Sequence, residues 1–150
     1  MSRQLVVAAA TALVDRDHAV TLRAVSREAD IPTSTIHQHF PDCSAILLAM
    51  CHTAFAELST AVLSTSDVHP AGLAYLDFAA LHPRRYRVMF GVFDLAEPAS
   101  RLFSRHTANG LALWLGLHGL AHQRASSRHT HVFSAVAPRL ITSLTSEVPP

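Results

Sequence analysis

Lysine is missing altogether: all twelve basic residues are arginine. We read this as a compositional bias of the source genome, so it says nothing about partners. Charge of either sign is scarce. Only 15% of residues are charged and the formal net charge is +1, a balance that does not by itself announce a nucleic-acid binder. Nor is the chain disordered by composition, since 49% of its residues are hydrophobic and can build a core. Cysteine is limited to Cys43 and Cys51, eight positions apart on what reads as one helix. A disulfide there would have to bridge about 12 Å of helical rise, so the chain is read as reduced and cytoplasmic. Apolar runs are short as well. None reaches the roughly 18 residues of a membrane span, so no membrane partner is expected. The opening "MSRQLVVAAATALV" has the single Arg and small apolar residues of a short secretory leader. Its Leu5, Ala9, Ala12 and Leu13, however, recur at i, i+4, i+7 and i+8, the spacing of an amphipathic helix in a mature protein.

Period-two alternation is absent at any useful length, and so are repeats and low-complexity tracts. What remains is helix with punctuation, in 150 residues that suffice for one domain or two small ones. Thr21 reads as an N-cap, followed by Leu22, Val25 and Ala29 at helical spacing. "DIPTS" breaks that helix, and Pro32 fixes the break. A short helix then carries Ile36 and Phe40 on one face and ends at Pro41-Asp42. A long helix follows from about Cys43 to Ser64, with Ile46, Leu47, Met50, Ala54, Phe55, Leu58 and Val62 on a face broad enough for burial on more than one side. "STSDVHP" reads as a loop, followed by a helix from Pro70 to Leu81 with proline in first position. "HPRRYRVMFG" reads as a short helix closed by Gly91, and "DLAEPAS" as a loop. A segment from about Ser100 to Arg124 is broken by "ASSRHT". A last helix from about His129 to Ser146 contains Val132, Phe133, Val136, Leu140 and Leu144, with Pro138 kinking it.

Two short helices joined by a tight break and packed on a third make a helix-turn-helix. Ile36 and Phe40 anchor its second helix. That leaves Thr33, Ser34, Thr35, His37, Gln38 and His39 around the outer face. Glutamine can contact adenine through two hydrogen bonds, and Ser and Thr can reach bases or phosphates. Thr21 and Arg23, at the start of the preceding helix, suit backbone phosphates.

"TLRAVSREADIPTSTIHQHFPD" resembles the DNA-binding domain of TetR-family transcriptional regulators. The shared pattern is a Thr at a helix start, an apolar-Ala-apolar run, a break, a short recognition helix ending His-Phe, and a long linking helix. It covers about residues 3 to 50. A second segment pair, "HPRRYRVMFG" and "LWLGLHGL" with Trp114, His118 and Gly119, resembles the ligand-binding domain of one TetR subgroup, which carries a Trp-x-x-x-His-Gly signature. The resemblance implies an all-α fold. A helix-turn-helix domain over residues 1–48 would be joined by a long helix to a short ligand-binding and dimerisation domain over 49–150. It implies a repressor that binds a palindromic operator in double-stranded DNA as a homodimer and answers to a small effector, with no catalysis, cofactor or metal. Tyr75, Phe78, Tyr86, Met89, Phe90, Phe93, Trp114 and His118 are the candidate lining of a pocket for an apolar effector. Leu111, Leu115, Val136 and Leu140 are the candidate dimer seam.

The sequence departs from the family pattern in places that matter. Asp30 stands in the turn where the family has glycine. His37 replaces a tyrosine of the recognition helix. Cys43 replaces the lysine that opens the linking helix. Residues 1–50 carry Arg3, Arg16, Arg23 and Arg27 against Asp15, Asp17, Glu28, Asp30 and Asp42, four minus five, a net charge of −1. Every phosphate left without a cationic partner weakens DNA binding and flattens its salt dependence. One alternative is therefore a degenerate member that keeps the fold as a dimerisation or interaction module without DNA binding. Another is a metal-dependent hydrolase built on His118 and His122, which are i, i+4 on a helix, but no Asp, Glu or Cys adjoins them. His118 reads better as a core histidine near Trp114, and "RRYR" at 84–87 as a solvated basic face. Gly116 and Gly119 are either sites of close helix approach or simply tolerated; the sequence leaves both readings open.

Overall fold

The computed structural model describes residues 1–91, 93, 95–126 and 130–146, the side chains of 125, 126 and 130–134 excepted. The start of the last helix at His129, the burial of Val132 and Phe133 and the full extent of the "ASSRHT" break lie outside the described residues. Among the described residues the fold is all-α. The helices are α1 (Ser2–Asp15), α2 (Leu22–Ala29), α3 (Thr33–His39), α4 (Cys43–Leu63), α5 (Val68–Leu81), α6 (Pro83–Gly91), α7 (Ala96–Ser100), α8 (Gly110–Ser126) and α9 (Thr130–Thr145). They form two compact units, Met1–Ala56 with Arg84–Phe93, and Glu57–Pro83 with Asp94–Pro150.

In the first unit, α1 buries Val6, Val7, Ala9, Ala10, Leu13 and Val14. The expected stripe is thus rotated: Leu5 is 45% exposed and Ala12 only half-buried. The small residues of this helix made two stripes nearly equal in sequence, and the valines took the inner one. α2 is capped by the Thr21 hydroxyl, which accepts from Ala24 N–H at 3.1 Å. It ends on Asp30 in the left-handed conformation (φ 52°, ψ 45°), a region that aspartate tolerates better than most residues. Asp42 caps α4 by accepting from Ala45 N–H at 2.8 Å. α6 joins this unit through arginine. Arg85 grips the carboxylate of Asp15, the last residue of α1, from Nε (2.9 and 3.1 Å) and from Nη2 (2.7 Å), while Arg84 donates to the Asp15 carbonyl at 3.1 Å. "RRYR" is therefore a solvated face only in part: Arg87 is exposed, while Arg84 and Arg85 tie α6 to α1.

α4 is 21 residues long, and an 18-residue window of it has a mean hydropathy of 1.6, enough by length and composition to cross a membrane. The sequence reading missed this because His52, Thr53 and Glu57 interrupt the apolar letters without lowering their mean much. Inside the protein the helix buries Ile46, Ala49, Met50, Cys51, Ala54, Leu58 and Val62. Burial raises the Cys51 thiol to about 11, so it stays protonated and packs as a small apolar group. Cys43 is half-buried, and both cysteines are free.

In the second unit α5, α8 and α9 pack on one another. α5 begins two residues before Pro70, so the proline sits within the first turn, where its missing N–H costs nothing. "AEPAS", expected as loop, is the short helix α7, and the segment marked from about Ser100 to Arg124 forms turns until α8 begins at Gly110. Gly116 is a site of close approach: a Cβ there would lie 2.9 Å from Leu140 Cδ2. A Cβ on Gly119 would meet nothing within 4 Å. The polar heart of the unit is a chain of rings. Trp114 Nε1 donates to the Tyr75 hydroxyl at 3.1 Å, Tyr75 and His118 Nδ1 share a hydrogen bond of 3.3 Å, and His118 stacks on Trp114 with centroids 5.0 Å apart.

Two outcomes follow for stability. A Cβ at Gly110 would stand 2.8 Å from Ser104 N and 2.9 Å from the Phe103 carbonyl carbon, backbone atoms that cannot step aside. Gly110→Ala should therefore destabilise the protein by about 2 kcal/mol in urea unfolding. Burial, with the charge of nearby His122 adding to it, lowers His118 from 6.5 to about 4. Between those values the unfolded chain holds a proton that the folded chain refuses. The His118 contribution is thus complete above about pH 6.5 and is lost as pH falls towards 4. His118→Gln should make the urea midpoint less sensitive to acidification over that window than in the wild-type protein; an unchanged pH slope would refute the assignment.

Candidate nucleic-acid interface

The sequence marked eight residues for DNA, and the first unit disposes them around α2 and α3. Ile36 is fully buried and Phe40 is 3% exposed. Their spacing fixes the roll of α3, a helix of only two turns. Thr33, Ser34, His37, Gln38 and His39 are consequently exposed, and Thr35 is half-buried. Thr21 and Arg23 are exposed at the start of α2. The Thr21 hydroxyl is engaged in its capping bond as an acceptor, which leaves its proton available to a phosphate oxygen.

The basic side chains of this unit divide by task. Arg3 lies 4.9 Å over the Phe40 ring, a cation–π contact that holds α1 to the end of α3. Arg16 pairs with Glu28 at 2.5 Å. Arg23 and Arg27, both exposed on α2, have no ion pair among the described residues. Sequence reasoning counted Arg3 only as charge and missed its contact, although a single arginine at the start of a helix that ends up against an aromatic anchor is a readable signal. Cys43 is half-buried at the first position of α4.

The eight residues proposed for an effector pocket are divided between the units. Tyr75, Trp114 and His118 come together in the second unit through the ring chain described above. Phe78 is buried there on α5, its ring 5.1 Å from His82. Tyr86 and Met89 are fully buried in the first unit, Phe90 lies 4.8 Å from the Tyr86 ring, and Phe93 is half-buried. Phe103 was missed. It is fully buried, 5.8 Å from the Tyr75 ring; the signal was an apolar Leu102-Phe103 pair between Arg101 and Arg105. His118 and His122 meet edge to face at 4.4 Å. Among the described residues no group of three or more His, Cys, Asp or Glu is placed to hold a metal.

No protein-family model matches the sequence, and no curated protein matches it. Solved structures do resemble it. A protein of unknown function from Rhodococcus sp. RHA1 is 19% identical with a TM-score of 0.73, the match covering 97% of this chain and 96% of that one. The multidrug binding protein EbrR, complexed with imidazole, is 19% identical with a TM-score of 0.76 over 99% of this chain and 92% of that one. A TetR variant from Acinetobacter baumannii AYE, in complex with minocycline, is 18% identical with a TM-score of 0.64 over 95% of this chain and 97% of that one. At such identities the likeness is one of fold, and the fold of this chain is that of the TetR family.

Proposed function

We propose that this chain is a cytoplasmic, non-enzymatic transcriptional regulator of the TetR type. It would act as a homodimeric repressor that binds a palindromic operator and releases it when a small apolar effector binds. The observation that carries this reading is α3. It is pinned by Ile36 and Phe40, so a continuous polar face of Thr33, Ser34, His37, Gln38 and His39 points outward. A helix so short and so polar outside has little to gain from burial, whereas its length and chemistry suit a major groove. The likeness to EbrR and TetR, both solved with small ligands, supports an effector-responsive regulator in kind. The second reading, a module that has kept the fold without DNA binding, is favoured by the net charge of −1 over residues 1–50 and by cysteine at position 43.

The dimer reading rests on exposed apolar side chains of the second unit. Leu111 and Leu115 on α8 are 57% and 55% exposed, and Val136 on α9 is 38% exposed. Leu140 is half-buried against Gly116 and so serves the chain's own packing as well. The three exposed residues are candidates for a seam of four helices, two from each copy. Leu111→Arg combined with Leu115→Arg should turn a dimer into a monomer in sedimentation at micromolar concentration while leaving the circular dichroism spectrum unchanged. A wild-type protein already monomeric there would remove the dimer.

Selection from a random pool of duplexes tests the DNA reading. The expected product is a palindrome with half-sites about one helical turn, or a multiple of it, apart. Gln38→Ala should then cost about 1–3 kcal/mol and relax preference at one base position. Arg23→Ala should weaken all sequences alike and lower the salt slope by about one unit. Cys43→Lys should tighten specific and random DNA alike. If no duplex is enriched and neither wild type nor Cys43→Lys binds DNA at low salt, the repressor reading fails and the interaction-module reading replaces it.

A further inference from the structure

Within the first unit, the end of α1, the loop that follows it, α4 and α6 enclose an open cleft of about 520 Å³, a size in the range of small-ligand sites. None of the eight residues proposed above for an effector lines it. Its walls are apolar: Val14, Val20, Leu47 and Val88. Its charge comes from α6, where Arg84 and Arg87 stand one turn apart, and from Asp17.

The state of these charges points to a ligand. Arg87 is exposed and makes no hydrogen bond or ion pair among the described residues. Arg84 spends one terminal nitrogen on the Asp15 carbonyl. Its Nε is buried without a hydrogen bond, the Asp17 carboxylate being 3.5 Å away, close enough to attract but not to bond. Two guanidinium charges against one carboxylate leave the cleft one positive charge in excess. We infer that the cleft binds a small amphiphilic monoanion, a carboxylate on an apolar body, with the head on Arg84 and Arg87 and the body along Val14, Val20, Leu47 and Val88. A dianion would exceed the charge on offer. An apolar neutral molecule would leave the excess positive charge uncompensated. This site is independent of whether α3 reads DNA.

Isothermal titration of the full chain, without DNA, tests it with octanoate as the probe and octanol as the neutral counterpart of equal length. Octanoate should bind about tenfold or more tighter than octanol, the difference made by charge-assisted hydrogen bonds. Two variants at exposed positions, each checked for an unchanged melting temperature, locate the site. Arg87→Ala removes one cation. Ala19→Glu sets a carboxylate on the lining of the cleft. Each should weaken octanoate by about tenfold and leave octanol unaffected. Octanoate that gives no saturable heat, that binds no tighter than octanol, or whose affinity survives both variants overturns the inference. None of these results bears on DNA binding, which fails or stands on the duplex selection.

Discussion

The burial of Ile36 and Phe40 is the constraint on which the first unit depends. α3 has only seven residues, too few to persist alone in water, so its existence rests on tertiary anchoring. Two apolar side chains four apart define one line of contact, and that line sets the roll of the helix. The roll in turn decides which polar groups face outward. The surrounding devices serve the same end. The Thr21 cap starts α2, the left-handed Asp30 closes it, the Asp42 cap starts α4, and Arg3 covers Phe40 from above. Removal of the anchor would therefore lose the outward polar face before any outward residue was touched.

A sequence sum of charge hides which charges of this unit are already paired. Net charge counts Asp15 and Glu28 as if they faced solvent. In the structure Arg85 and Arg84 hold Asp15, and Arg16 holds Glu28, while Arg23 and Arg27 stay exposed together with Asp30 and Asp42. The Arg85–Asp15 pair is the stronger of these links: its two-toothed geometry and an arginine side chain only 13% exposed take it out of the class of weak surface pairs. Its structural consequence is that α6, distant in sequence, belongs to the same unit as the helix-turn-helix. A field that matters to DNA is set by what remains after such pairing, and a sequence sum cannot show that.

Much of the fold was legible because it is local. The Thr21 cap, the break at Asp30 to Pro32, the pair Ile36 and Phe40, and the start of α4 at Cys43 all rest on neighbours within a few residues, and all are found where the pattern put them. What was missed depended on distant partners. The inner stripe of α1 was chosen between two similar faces by packing against α2 and α3. Helix α7 formed in a stretch that Pro98 made look like loop, although proline is tolerated in a first turn. The role of "RRYR" required knowing that Asp15 lay beside it. Gly116 and Gly119 could be told apart only once α9 was in place. The same limit applies to the effector residues: aromatic letters identify what is buried, but not which of them share a space.

The most direct measurement of the central claim is the perturbation of backbone amide resonances of the isotope-labelled protein when a selected duplex is added at low salt. The account predicts shifts concentrated at Thr21 to Ala24 and Thr33 to His39, with buried Ile36 moving less than its exposed neighbours Gln38 and His39. Shifts confined to residues beyond 57, or none at all with duplex in excess, would contradict it.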